Sequence, residues 1–368
     1  MNSLKTIGLL FLLTAFCLPA GAQTYLYASG HYGRMLKIKT DWPEIYRNAS
    51  AFEAGFSART SGKKIWHGLY GFPETGFRFV FFFPGNPEVF GYAFSLSPTL
   101  SFPIAQRRAF QLRFNYDYSL GIITRPWNRT ANPENNVIGS PVNNFVRFQL
   151  ESRWQVSDYW QITLGTAYSH FSNARTKVPN LGINIPSVSL GAGFQIKKTY
   201  DHVIENRQIP APGFGKLHLS VAFGYGINSQ KSPGGPLYPV YSGEVAIHTI
   251  RNHKIRLAAG VKYFFVESLY AFILNQDIPF ENPGKAATGL IVYSGGEFLM
   301  GHWAIVAHFG PYVKKPYQMN YLLYTRFGTR WYLYDQQENS RFQPFAGVYV
   351  HAHSGEADFA EFSLGFLF

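Results

Sequence analysis

The sequence predicts an all-β fold, a transmembrane antiparallel up-and-down β-barrel of about 16 strands within a range of roughly 12 to 16, and three observations predict it. Apolar and polar residues alternate with a period of two over stretches of roughly 10 to 15 residues, long enough to cross a bilayer at a tilt. Aromatic residues make up 18% of the chain, with 34 Phe and 24 Tyr, against only 15% charged residues. That balance suits aromatic girdles around a lipid-facing band. Beyond the leader, no stretch reaches the roughly 18 continuous apolar residues of a membrane helix.

In chain order, the first segment reads as a leader. Lys5 precedes the apolar run from Ile7 to Leu18, and Ala20-Gly21-Ala22 precedes Gln23, the layout of a secretory signal spanning 1–22. Phe16 before Cys17 does not suit a lipidated cysteine, and Cys17 is the only cysteine of the chain. Cleavage would therefore leave neither a disulfide framework nor a cysteine metal site.

The barrel is expected over 23–368. Its first strands are placed at 24–37, 49–59, 75–83, 89–104, 107–123, 144–157, 158–172 and 184–197. Further strands are placed at 216–229, 238–252, 253–270, 287–299, 301–313, 318–334, 343–353 and 357–368. The fifth shows the pattern well, with Phe110, Leu112, Phe114, Tyr116, Tyr118, Leu120 and Ile122 on one face. Gln111, Arg113, Asn115, Asp117 and Ser119 alternate with them and belong to the lumen. In the sixth, Arg147, Glu151 and Arg153 read as an internal ion-pair ladder. The last strand ends Leu364-Gly365-Phe366-Leu367-Phe368 and resembles the terminal signature of outer-membrane proteins. A single barrel is the expectation, because no composition shift marks a second domain. The irregular segment 198–215 is the place where two eight-stranded units would divide.

The strand at 158–172 breaks its own pattern. Its lipid-facing residues Trp160, Ile162, Leu164, Thr166 and Tyr168 lead straight into His170 and Ser172. Polar residues at a strand end can simply be rim residues above the bilayer, and that alternative stays open. The other reading is chemical. On the next strand Asn184 shares the outer face with Pro186, Val188 and Leu190, and pairing through the loop 173–183 is expected to set Asn184 opposite Ser172. A hydroxyl nucleophile, an imidazole base and a group that fixes the imidazole tautomer are the requirements of acyl transfer. On the outside of a barrel, the acyl donor is a lipid.

The pattern His170-x-Ser172-Asn173 followed by Pro179-Asn180-x-Gly182 resembles the PagL-type outer-membrane lipid A 3-O-deacylases. Tyr70-Gly71-Phe72-Pro73-Glu74, Gly85-Asn86-Pro87-Glu88 and Asn132-Pro133-Glu134-Asn135-Asn136 are similar to the longer Bacteroidetes-type members described as acyloxyacyl hydrolases. The resemblance spans residues 65–197, and the second half matches only in being barrel-like. It implies eight PagL-like strands in 23–197, with additional barrel strands in 216–368. It also implies His170 as base, Ser172 as nucleophile and Asn180 as oxyanion donor, with Asn173 and Gly182 shaping the site. No metal or cofactor is implied. The substrate would be lipid A of lipopolysaccharide in the outer leaflet. The acid of the family falls where this chain has Asn184, which can orient an imidazole but brings no charge to it. Glu88 is a candidate carboxylate.

The formal net charge of +12 suits anionic lipid headgroups better than nucleic acid in a secreted, aromatic-rich chain. Arg175 and Lys177, with Arg125 and Arg129 in the preceding outer loop, are candidate partners of lipid A phosphates. Ordinary solvated loop charge is the alternative. His351, His353, Glu356 and Asp358 are metal-ligating types without diagnostic spacing and are expected as rim residues of the last hairpin. Two classes of function remain: an esterase that removes an ester-linked acyl chain from lipid A, and a non-catalytic structural or porin-like barrel. An open polar lumen would mark the second.

Overall fold

Among the described residues sixteen antiparallel strands form close to the expected positions, but they close as two barrels of eight rather than as one. The computed structural model describes residues 23–39, 41–196, 211–229, 233–336, 342–353 and 355–368. The expected leader and residues 198–210 of the dividing segment lie outside the described residues.

The first unit comprises β1 (Thr24–Gly33), β2 (Ala49–Arg59), β3 (Glu74–Phe83), β4 (Ala93–Arg107), β5 (Phe110–Ile123), β6 (Val142–Gln155), β7 (Trp160–Ser172) and β8 (Ile183–Gln195). Each strand pairs with the next, and β8 returns to β1 with Leu190 opposite Gly30. Closure removes the edges that hydrocarbon would leave unbonded. The pleat follows the expected alternation. Leu120, Leu164 and Leu190 face outward and are more than half exposed, while Arg113, Asn115, Asp117 and Ser119 face inward and are buried.

The lumen of this unit is filled. Arg147 donates from Nε to Asp117 at 2.7 Å and from Nη1 to Glu53 at 2.6 Å. Arg78 donates to Gln149 at 2.6 Å, and Arg153 binds Glu151 at 2.5 Å and Glu74 at 2.9 Å. The expected ladder is thus a network that crosses the barrel. Desolvation costs several kcal/mol per ion, and only multiple well-aligned bonds of this kind offset it.

Above the charges, at the end where β7 passes to β8, the lumen becomes apolar. Phe82, Phe145, Phe171, Ile183 and Ile185 from the strands pack with Met35, Trp42, Val89, Phe90, Val137 and Ile138 from the loops. Ring centroids of Phe145 and Phe171 lie 4.7 Å apart. The strand expected from residue 89 therefore starts at Ala93, because Val89 and Phe90 are drawn into this plug. Side-chain amides tie the loops together. Asn86 Nδ2 donates to the Glu44 carbonyl at 2.8 Å, Asn135 Nδ2 to that of Arg125 at 2.7 Å and Asn136 Nδ2 to that of Asp41 at 2.7 Å. The opposite end carries the short helix α1 (Ile65–Leu69) between β2 and β3.

The second unit comprises β9 (His218–Ser229), β10 (Leu237–Arg251), β11 (Ile255–Val266), β12 (Thr288–Met300), β13 (Trp303–Lys314), β14 (Leu323–Tyr332), β15 (Gln343–His353) and β16 (Glu356–Leu367), closed by β16 on β9. The expected strand 253–270 stops at Val266, where helix α2 (Glu267–Asn275) begins. Its Tyr270-Ala271-Phe272 run suits a strand by residue type, yet the segment is helical and buries Ser268 and Ile273. Here too the lumen is filled. Arg326 binds Glu244 at 2.5 Å, Lys262 binds Glu361 at 2.8 Å and Arg330 binds Glu297 at 2.7 Å, with the Arg330 guanidinium 4.1 Å from the Phe345 ring centre. His351, expected at the rim, faces inward instead and accepts from or donates to Tyr324 Oη at 2.8 Å. Inward pleating at position 351 puts it among the charges. The segment Ala174–Asn180 groups with this unit: Arg175 Nη1 donates to Asp358 at 3.2 Å, and the Arg175 carbonyl accepts from the Ser229 N–H at 2.8 Å.

Candidate active site

The local geometry starts from β7. Phe171 points into the apolar plug and is fully buried, so its neighbours His170 and Ser172 are turned to the outer face or the strand end. Neither is laid open as Leu164 is. His170 is half-buried and Ser172 is 8% exposed. Ser172 is therefore covered by protein and His170 partly so.

Asn184 lies opposite His170, not opposite Ser172 as the loop length suggested. The reason is the way the hairpin opens. The β7–β8 ladder ends with Phe171 opposite Ile183, and Ser172 pairs only on its other side, with Asn144 of β6. The shift improves the constellation. Asn184 Oδ1 sits 2.6 Å from His170 Nδ1, and with the oxygen as acceptor the ring proton is on Nδ1 and the Nε2 lone pair is free. Asn184 is itself buried.

Gly182 lies against the same ring. Its φ of +77° is the left-handed conformation that glycine adopts at little cost, and a Cβ placed there would be 2.7 Å from His170 Cε1. Asn173 is buried and donates from Nδ2 to Ser140 Oγ at 2.8 Å, while Ser140 donates to Asn143 Oδ1 at 3.1 Å. The residue after the candidate nucleophile is thereby tied to the β5–β6 loop. The first unit thus brings together His170, Ser172, Asn184, Asn173 and Gly182. Asn180, Arg175 and Lys177 fall in the segment that groups with the second unit, where Arg175 is engaged by Asp358. Glu88 is exposed and its N–H donates to Asn86 Oδ1 at 3.1 Å.

Tyr168 is the residue that the sequence reading missed. It was part of the lipid-facing stripe, and indeed it is 40% exposed, but its hydroxyl donates to Asn184 Oδ1 at 2.7 Å. The available signal was its position two residues before His170, on the same face. Among the described residues, no group of three or more His, Cys, Asp or Glu side chains is arranged to hold a metal ion.

Comparison with known proteins identifies the family of the chain. Residues 50–192, which run from β2 into β8 and include the constellation, match the family described as lipid A 3-O-deacylase (PagL). Residues 215–368, the second barrel, match the acyloxyacyl hydrolase C-terminal domain. No curated protein matches the chain. Among solved structures, Neisserial surface protein A is similar at 11% identity over 48% of this chain and 97% of its own, with a TM-score of 0.33. OccD3 (OpdP) of Pseudomonas aeruginosa is similar at 11% identity over 95% of this chain and 91% of its own, with a TM-score of 0.22. Two family matches that together run from the second strand to the end of the chain, on a pair of closed barrels, make this protein an outer-membrane member of the PagL lipid A deacylase family, a hydrolase family whose substrate is lipid A.

Proposed function

We propose that the chain is a serine esterase that removes an ester-linked acyl chain from lipid A at the outer leaflet. The observation that carries this reading is the His170–Asn184 pair at 2.6 Å, on the outer face of the barrel and two residues from a covered Ser172. Ser172 Oγ attacks the ester carbonyl while His170 Nε2 takes the hydroxyl proton. The oxyanion so formed needs preorganised donors near Ser172. Collapse expels the sugar oxygen, which receives the proton from His170, and the acyl group stays on Ser172. Water, deprotonated by the same imidazole, then releases the fatty acid and restores the serine. Arg125 and Arg129 are the candidate partners of the lipid A phosphates.

Mass spectrometry of lipid A from cells expressing the wild type, Ser172→Ala and His170→Ala tests the reading. The wild type is expected to remove one acyl chain, and each variant to lose about 10⁴-fold or more in rate. Unchanged lipid A in all three would overturn the proposal.

A further inference from the structure

We propose that Tyr168 is a positioning residue of the reaction: its phenol sets which end of the Asn184 amide faces His170, and through that end the tautomer of the imidazole. The inference deepens the esterase reading and rests on it. Tyr168 and His170 stand two apart on β7, and Asn184 stands opposite His170 on β8. The three side chains converge on one atom. Asn184 Oδ1 is 2.7 Å from the Tyr168 hydroxyl and 2.6 Å from His170 Nδ1, so its two lone pairs take two donors.

An amide has two ends of nearly the same shape and opposite hydrogen-bonding character. With oxygen toward the ring, the imidazole proton sits on Nδ1 and Nε2 accepts the serine proton. With the NH₂ toward the ring, Nδ1 becomes the acceptor, the proton moves to Nε2 and the base is blocked. A carboxylate at this position would present an oxygen either way. Asparagine does not, so something must hold the amide. The Tyr168 hydroxyl lies on a lipid-facing strand, where a hydroxyl proton without an acceptor is costly. Turning the Asn184 oxygen away would take that acceptor from Tyr168 and from His170 together. Tyr168 thereby favours the one orientation in which His170 is a base.

The test uses the full chain in vesicles containing lipid A. It measures kcat and KM for the wild type, Tyr168→Phe, Asn184→Asp and the double variant, together with ¹⁵N spectra of the His170 ring in each. Tyr168→Phe is expected to lower kcat about tenfold with KM unchanged, and to shift the ring from the Nδ1–H toward the Nε2–H tautomer. In the Asn184→Asp background the same substitution is expected to change neither, because either carboxylate oxygen accepts. An equal loss in both backgrounds, a loss carried by KM, or an unchanged tautomer would overturn the proposal. If Asn184→Asp is itself inactive, the spectra decide alone. Should the wild type fail to deacylate while the tautomer responds as described, the esterase reading falls and the positioning role stands.

Discussion

A Cβ added at Gly182 would meet Cε1 of His170 at 2.7 Å and the carbonyl oxygen of Phe171 at 3.2 Å. The ring is the softer of the two neighbours, so Gly182→Ala is expected to push the imidazole off Asn184 and reduce kcat by about 10- to 100-fold. Heat-modifiable electrophoretic mobility should report an intact barrel, since only one loop residue changes. Phe171→Ala belongs to the same scale with the opposite balance. It removes a fully buried ring from the plug between two site residues, and is expected to cost about 3 to 5 kcal/mol in urea unfolding. At this scale His170 and Ser172 were legible, because polar side chains interrupt an apolar stripe. Tyr168 was not, because an aromatic on that stripe looks like any other girdle residue until its hydroxyl is seen to have a partner.

Among the elements, the β7–β8 hairpin shows what alternation leaves open. Both strands were placed to within a residue or two, and the outer face was right. Which residue stands opposite which depended on where the ladder gives way to the loop, and there the Leu181 N–H bonds to the Val137 carbonyl at 2.8 Å. That contact comes from a loop far away in sequence. Helix α1 carries a further prediction. Burial, and then the charge of Lys64, lower His67 from 6.5 to about 4, and its Nδ1 accepts the Gly62 N–H at 3.1 Å. Because the folded value lies below the unfolded one, the stabilisation is complete above about pH 6.5 and is lost as the pH falls toward 4. Limited proteolysis between Gly62 and Phe72 is expected to accelerate across that window, and a flat profile would rule the linkage out.

For the whole molecule, buried charged side chains fill both lumens, which speaks against the porin-like alternative. Reconstituted in planar bilayers, the protein is expected to show no steady ion conductance, whereas stable channel openings would favour the porin-like reading. The charges that fill the first barrel are also a structural dependence. Arg147 bridges Asp117 and Glu53, so Arg147→Ala leaves two buried carboxylates short of a partner and is expected to destabilise that barrel by about 3 to 5 kcal/mol, measured by urea unfolding in vesicles.

Period-two patterning was enough to establish strands, their outer and inner faces, and a polar pair where lipid contact should be, because those properties depend on near neighbours in the chain. Closure at eight strands, the Asn184–His170 register, the inward turn of His351 and the capture of Arg175 by Asp358 depend on residues brought together from distant positions. Alternation assigns a side chain to a face of its strand; its partner on that face is set by how the sheet closes, and only the folded chain contains that information.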